Sequence, residues 1–268
     1  MMELSDQKLF YYSLIALYLI SPLTYIPLRF LQAPYGKHNR SGWGPTISPP
    51  VAWVLMESPS LILPLLVLPF GRHSKDPKAL ILLAPYITHY IHRTCIYPLK
   101  IHNNQRKDKP EERGFPLSIA MMGFGFNVLN AYLQVRWVSH YKEDYGDGGD
   151  GGWSWVRYGG GLVVFGLGMW LNIWADRVLV GLKRVGGGRG YKVPRGGWFE
   201  MVSCPNYLGE IVEWIGWSVM TWSWVGLGFL IYTCANLVPR ARAHHKWYLE
   251  KFGEDYPKNR KAVIPYLY

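Results

Sequence analysis

Apolar residues run in long blocks along this chain, and polar residues gather between them. Blocks at about 9–31, 51–70, 79–99, 115–136, 155–182, 207–222 and 224–242 approach or exceed the roughly 20 residues that a helix needs to cross hydrocarbon. None alternates with the period of two of a barrel strand, so the blocks predict helices. Only Ser223 separates the last two, which leaves one long bent helix open. Pro22, Pro27, Pro59, Pro64, Pro69 and Pro85 fit kinked helices packed round a cavity, or proline tolerated on lipid-facing sides. The expected fold is all-α: a polytopic membrane protein with about seven transmembrane helices around an intramembrane cavity.

Two blocks carry ionisable groups in their interior. Glu57 lies within 50–70, and His89-Tyr90-Ile91-His92-Arg93-Thr94 lies within 79–98. Such groups cost roughly 2.5–3.5 kcal/mol each in a spanning helix, so they face a cavity or a partner and mark function. Tyr90 and Arg93 are three apart and His89 and Arg93 four apart, on one helix face. A tyrosine donates a hydrogen bond to a carbonyl oxygen, and a glutamate does so when protonated. Glu57 and Tyr90 are thus candidates for polarising a carbonyl. The other reading of Glu57 is a structural ion pair with Arg93. His89 and His92 have no third ligand motif, so no metal is expected.

The block at 155–182 contains Asn172 and Asp176, four apart, and Lys183 and Arg184 follow it. Glu210 and Glu213 share a face of the next block, and the tail from Arg240 carries His244 and Tyr248. Amides, carboxylates and bases converging at helix ends suit a ligand with ribose hydroxyls and phosphates. Ordinary loop charge explains any single Lys or Arg, but not Asn172, Asp176, Glu210 and Glu213 inside apolar runs.

Composition supports a membrane setting. Of 268 residues 49% are hydrophobic, with 13 Trp, 19 Tyr and 10 Phe, an aromatic load that suits the lipid–water interface. The net charge of +11, with no RNA-binding motif, points to lipid headgroups and a phosphorylated cofactor, not to nucleic acid. The stretches near 32–49, 100–114, 183–205 and after Pro239 are basic, whereas 137–154 is acidic. The basic set and the C-terminus are therefore expected in the cytosol. Gly71–Lys78 is a local exception, and the Asn39-Arg40-Ser41 acceptor would face the cytosol unmodified. The N-terminal block lacks a cationic lead and a cleavage site, so it reads as a retained span. Cys95, Cys204 and Cys234 suggest neither a disulfide framework nor a metal site. Gly146, Gly148 and Gly151 match G-x-G-x-x-G, but the surrounding aspartates would repel a pyrophosphate, and a loop is expected there.

Seven stretches resemble the steroid 5α-reductase family, and most closely its plant, brassinosteroid-pathway branch. They are Ala33-Pro-Tyr-Gly-Lys-His-Asn-Arg40, Gly42-Trp-Gly-Pro-Thr-Ile-Ser-Pro-Pro50, Met56-Glu-Ser-Pro59, His89-Tyr-Ile-His-Arg-Thr94, Asn172-Ile-Trp-Ala-Asp176, Pro205-Asn-Tyr-Leu-Gly-Glu210 and Glu254-Asp-Tyr-Pro-Lys-Asn-Arg-Lys261. The sixth also resembles segments of membrane sterol reductases and isoprenylcysteine methyltransferases. The resemblance implies an NADPH-dependent, multi-pass enzyme of the endoplasmic reticulum that reduces the Δ4 bond of a 3-oxo steroid, campest-4-en-3-one being the leading substrate. It implies that Glu57 and Tyr90 bind the 3-keto oxygen and that Trp53, Arg93 and Tyr97 line the steroid site. It assigns the cofactor to Asn172, Asp176, Asn206, Glu210, His244 and Tyr248. Lys183 and Lys192 stand where animal relatives carry arginine, and Gly186-Gly-Gly188 lengthens that loop. One domain, 1–268, is expected, with the steroid site mainly in 1–114 and the NADPH site mainly in 115–268. The competing expectations are another membrane ene-reductase, a methyltransferase of the related superfamily, and a non-catalytic sterol-binding protein.

Overall fold

The computed structural model describes residues 2–104, 114–146, 154–185 and 191–268. The chain opens with α1 (Met2–Phe30). α2 (Pro49–Glu57), α3 (Pro59–Val67) and a 3₁₀ turn at Leu68–Phe70 follow. α4 (Pro77–Ile91) passes through a π turn, His92–Ile96, into α5 (Tyr97–Asn104). α6 (Leu117–Arg136) also ends in a π turn, Trp137–Tyr141. α7 (Trp155–Val185), α8 (Pro205–Thr221) and α9 (Trp224–Phe252) complete the helices. Among the described residues three helical stretches are long and apolar enough to cross a membrane: Ser5–Phe30, Pro49–Phe70 and Trp155–Leu182.

Several boundaries differ from the sequence reading, each for a local reason. The block expected from 115 starts its helix at Leu117, because β2 (Phe115–Pro116) pairs antiparallel with β1 (Thr46–Ile47). The last two blocks are separate helices. Trp222 takes a left-handed conformation (φ 47°), and the Ser223 hydroxyl caps α9 by accepting from the Gly226 N–H at 2.9 Å. The 51–70 block breaks after Glu57, where Pro59 has no N–H for the Leu55 carbonyl. The Ser58 hydroxyl donates to that carbonyl instead, at 3.1 Å. Pro85 likewise frees the Ile81 carbonyl, which the Tyr158 phenol takes at 3.2 Å. Residues 147–152 of the glycine-rich stretch and Gly186-Gly-Gly188 lie outside the described residues.

Glycine sets the closest helix contact. A Cβ at Gly216 on α8 would lie 2.3 Å from the Phe165 nitrogen on α7, and one at Gly209 would lie 2.5 Å from the Asn172 nitrogen. Small residues let helix backbones approach in this way. Gly216→Val is expected to lower the melting temperature by several degrees, since overpacking costs about 1–3 kcal/mol. Gly159→Ala on α7, where a Cβ meets nothing within 4 Å, is the neutral control. Equal melting of the two variants in a thermal-shift assay would refute the close contact.

The aromatic core lies beside this seam. Tyr86, Tyr90, Phe165, Trp214 and Trp217 are buried together. At the end of the molecule where α1 begins, the Asp6 carboxylate accepts from Arg136, Tyr132 and Tyr141. Arg136 also donates to the Phe70 carbonyl at 3.1 Å. This cluster ties α1 and α6 to the 3₁₀ turn that follows α3.

Candidate active site

Glu57 is the last residue of α2, at the proline break, and its orientation is fixed from α6. The Asn127 amide donates to Glu57 Oε2 at 3.1 Å and to the Met56 carbonyl at 2.7 Å. The Ser60 hydroxyl, on the first turn of α3, donates to Asn127 Oδ1 at 3.3 Å. Ser60 also neighbours the phenols of Tyr86 and Tyr90. Tyr90 is buried on α4, with its ring tilted against Tyr86 at 4.7 Å and His89 set edge-on at 4.9 Å. Glu57 and Tyr90 are thus brought round one small polar focus inside the apolar core.

Arg93 is the centre of the next layer. The π turn carries it inward, 93% buried, where Nη1 donates to Asp176 Oδ2 at 3.0 Å. Its guanidinium lies 4.4 Å from the Trp53 ring and 4.9 Å from the Tyr97 ring. Such placements add cation–π attraction to the ion pair. The alternative of an Arg93–Glu57 ion pair is therefore not what the geometry shows. Glu57 stays within electrostatic reach of Arg93 while its hydrogen bond goes to Asn127.

Asp176 and Asn172, one turn apart on α7, meet α8. Asn206 Nδ2 donates to Asp176 Oδ1 at 3.1 Å, and Asn172 Nδ2 donates to the Asn206 carbonyl at 2.9 Å. Asn172 Nδ2 also lies 3.5 Å from Glu210 Oε2. Tyr207 and Glu210, three apart on α8, lead to a further cluster. There Arg240 donates to the phenol oxygens of Tyr35 and Tyr207. His244 pairs its two ring nitrogens with Tyr207 at 3.1 Å and with His38 at 3.0 Å. Burial and the neighbouring Lys37 and Arg240 charges push His38 down to about 4 and hold His244 below the usual range. Both rings are neutral near pH 7, which lets one donate and the other accept. Lys37 lies over the Tyr248 ring at 3.9 Å and over Trp247 at 4.7 Å, and burial pushes its ammonium down to about 8.

The predicted residues thus fall into one continuous assembly, with two exceptions. Lys192 is exposed and, among the described residues, makes no hydrogen bond or ion pair with the cluster, and the side chain of Lys183 lies outside the described residues. Among the described residues no group of three His, Cys, Asp or Glu is placed to hold a metal ion. Sequence reasoning gave no role to Asn127, Ser60, Lys37, His38 or Tyr207, and took Arg240 only as part of the basic tail. It also missed the pairing of His89 Nδ1 with Glu213 Oε1 at 2.7 Å, both buried behind Tyr90. A polar residue inside an apolar block was the available signal for Asn127.

Asn127 yields a specific expectation. Asn127→Leu removes the donor that orients Glu57 and should lower kcat roughly tenfold with little change in KM. Asn127→Gln should recover less than full activity, because the longer arm misplaces the amide. Steady-state kinetics of the purified variants check this, and an unchanged kcat would remove the orienting role.

The chain as a whole is similar to characterised proteins. The sequence profile described as 3-oxo-5-alpha-steroid 4-dehydrogenase matches residues 113–268. Steroid 5-alpha-reductase DET2 of Gossypium hirsutum is 61% identical over 264 residues, covering 98% of this chain and 99% of that protein. Steroid 5-alpha-reductase DET2 of Arabidopsis thaliana is 59% identical over 269 residues, covering 100% of both. 3-oxo-5-alpha-steroid 4-dehydrogenase 1 of Homo sapiens is 40% identical over 246 residues, covering 87% of this chain and 86% of that protein. Similarity of this extent runs through both halves of the buried polar assembly, and the chain belongs to the 3-oxo-5-alpha-steroid 4-dehydrogenase family, the steroid 5α-reductases.

Proposed function

We propose that this chain uses NADPH to reduce the Δ4 double bond of 3-oxo steroids to 5α-3-oxo steroids. The substrate is a plant-type steroid with an alkyl side chain, such as campest-4-en-3-one. The enzyme crosses the endoplasmic reticulum membrane seven times, with its basic loops and C-terminus in the cytosol. The steroid enters from lipid and meets mainly residues of 1–114, and the cofactor enters from the cytosol and meets mainly residues of 115–268.

The observation that carries this reading is the placing of Glu57 and Tyr90 round Ser60 and Asn127, next to the Arg93 layer. A 3-keto oxygen between the Glu57 carboxyl and the Tyr90 phenol receives two hydrogen bonds. Negative charge grows on that oxygen as hydride reaches C5, so both bonds strengthen in the transition state. The apolar walls around Tyr86, Tyr90 and Trp214 exclude water from it. A bound reduced nicotinamide supplies the hydride. The donor set fits such a cofactor. Asn172, Asp176, Asn206 and Glu210 suit ribose hydroxyls and the carboxamide, and Lys37 and Arg240 suit phosphate. His244 and Tyr248 border the adenosine end.

Lys37 makes cofactor affinity depend on pH. Its ammonium is charged below about 8 and loses the charge above it. NADPH affinity should therefore fall several-fold as pH rises from 7 to 9. Lys37→Met should bind more weakly at pH 7 and flatten the profile. A titration of NADPH binding across that range is the check, and a wild-type profile as flat as the variant's would exclude the role.

The assignment is tested by NADPH oxidation in detergent-purified protein, with and without campest-4-en-3-one or progesterone. Steroid-dependent oxidation giving a 5α-reduced ketone is expected. NADPH binding without steroid turnover would transfer the activity to another ene-reduction, and no NADPH binding would favour a methyltransferase.

A further inference from the structure

After α9 the chain turns back and runs beside the segment that leads into α8. The Lys261 N–H donates to the Met201 carbonyl at 2.9 Å. The Ser203 and Cys204 N–H groups donate to the Lys261 and Ala262 carbonyls at 2.8 and 3.1 Å. Arg260, 1% exposed, fastens this return by donating to the Pro194 carbonyl at 2.9 Å and to Glu200 Oε2 at 3.0 Å. Beyond it, Ala262, Val263 and Tyr268 pack with Leu208 and Ile211 of α8 and with Val238 and Ala241 of α9. Those four helix positions lie in the apolar blocks 207–222 and 224–242. The loop at 264–267 is therefore level with helix that belongs in the bilayer, and the proposed reaction gives it no role.

This loop is built for lipid in its side chains and in its backbone. Tyr266 and Leu267 are 85% and 77% exposed, Ile264 is exposed as well, and with Pro265 they form a run without a charge. Irregular backbone enters lipid only when its polar groups are satisfied within the protein. The Val263 and Ile264 N–H groups both donate to the Tyr268 main-chain oxygen, at 2.8 and 2.7 Å. The Leu267 and Tyr268 N–H groups donate to the Ile264 carbonyl at 3.2 and 3.0 Å, and Pro265 has no N–H. Tyr266 closes the loop in a left-handed conformation (φ 63°). The charges stay on the approach, where Lys258 and Lys261 are exposed and suit anionic headgroups. A tyrosine beside apolar side chains suits the lipid–water interface. We propose that residues 264–267 insert into the cytosolic leaflet and anchor the returning chain to lipid. The inference rests on the membrane topology proposed above, but not on the reaction.

The test uses the full chain in vesicles of phosphatidylcholine and phosphatidylserine. Cys95→Ser/Cys234→Ala removes the two cysteines that are not buried. Tyr266→Cys and Leu267→Cys are then labelled singly with an environment-sensitive nitrobenzoxadiazole dye. Lys258→Cys, at a lysine 71% exposed, is the aqueous reference. Leu19→Cys, on the lipid-facing side of α1, is the lipid reference. The labels at 266 and 267 should emit at shorter wavelength than the label at 258. They should also lose intensity, as the label at 19 does, when a phosphatidylcholine carrying a nitroxide near the top of its acyl chain is included. Emission like that at 258, quenched by iodide and not by the nitroxide lipid, overturns the proposal. Short-wavelength emission without nitroxide quenching overturns it too and assigns the loop to a second copy of this chain. A second measurement needs no substitution. A membrane-partitioned diazirine, photolysed with the wild type in the same vesicles, should modify the tryptic peptide 262–268, and an unmodified peptide counts against the insertion. Neither readout involves turnover, so an inactive protein that shows both signals leaves the anchor standing and refutes the proposed reaction.

Discussion

Glu57→Gln is expected to lower steroid turnover by about 10²–10³-fold, the usual cost of removing one donor aimed at a developing oxyanion. The amide keeps the size of the side chain and a weak N–H donor, but not the acidic proton. Asn127 still donates to the retained oxygen, so the side chain should stay in place. Tyr90→Phe removes the second donor without opening a cavity in the Tyr86–Trp214 packing, and should cost a similar factor. The double variant should lose less than the product of the two, because both donors act on one oxygen. In all three the NADPH-induced rise in melting temperature should remain near wild type, since neither group belongs to the layer around Asp176. Wild-type kcat in either single variant would remove the carbonyl-polarising role.

Asp176→Ala carries the largest expected cost to the protein itself. It strands the buried Arg93 guanidinium and removes the acceptor of Asn206. Breaking a buried ion pair from one side costs about 3–5 kcal/mol, because the remaining charge is left uncompensated. The free protein should therefore melt well below wild type, and its NADPH-dependent stabilisation should be reduced. Asp176→Asn keeps one acceptor for Arg93 and should lose less on both counts. Melting curves with and without NADPH separate the two effects. A variant that melts like wild type and is stabilised equally by NADPH would show that the α7 assignment is wrong.

Much of this was legible in the sequence because the relevant signals are local. Each apolar block is helical, and polar residues inside such blocks, Glu57, Arg93, Asn172 and Asp176, all turn inward or toward the polar assembly. What could not be read were pairings between distant positions. Arg93 and Asp176 are separated by 83 residues, Glu57 and Asn127 by 70, and His89 and Glu213 by 124. No periodicity records which buried acid meets which buried base, and so Glu57 was a plausible partner for Arg93. The π turn at His92–Ile96 was equally invisible, although it changes the rotation of Arg93 relative to Tyr90 on a regular helix. The basic-aromatic cluster of Lys37, His38, Arg240 and His244 joins residues some 200 positions apart. It also crosses the 114/115 division, as do the Arg93–Asp176 and Glu57–Asn127 contacts. The halves expected to hold the steroid and the cofactor therefore meet in one polar assembly.

The most direct test is the fate of the transferred hydrogen. Purified enzyme would be supplied with NADPH deuterated at both nicotinamide C4 positions and with campest-4-en-3-one, and the product analysed by mass spectrometry and NMR. One deuterium at C5 in the α configuration, with a solvent hydrogen at C4, is the predicted result. Deuterium at C4, a 5β product, or no deuterium in the steroid would contradict the placing of Glu57 and Tyr90 at the 3-keto oxygen beside a nicotinamide held by the Arg93–Asp176 layer.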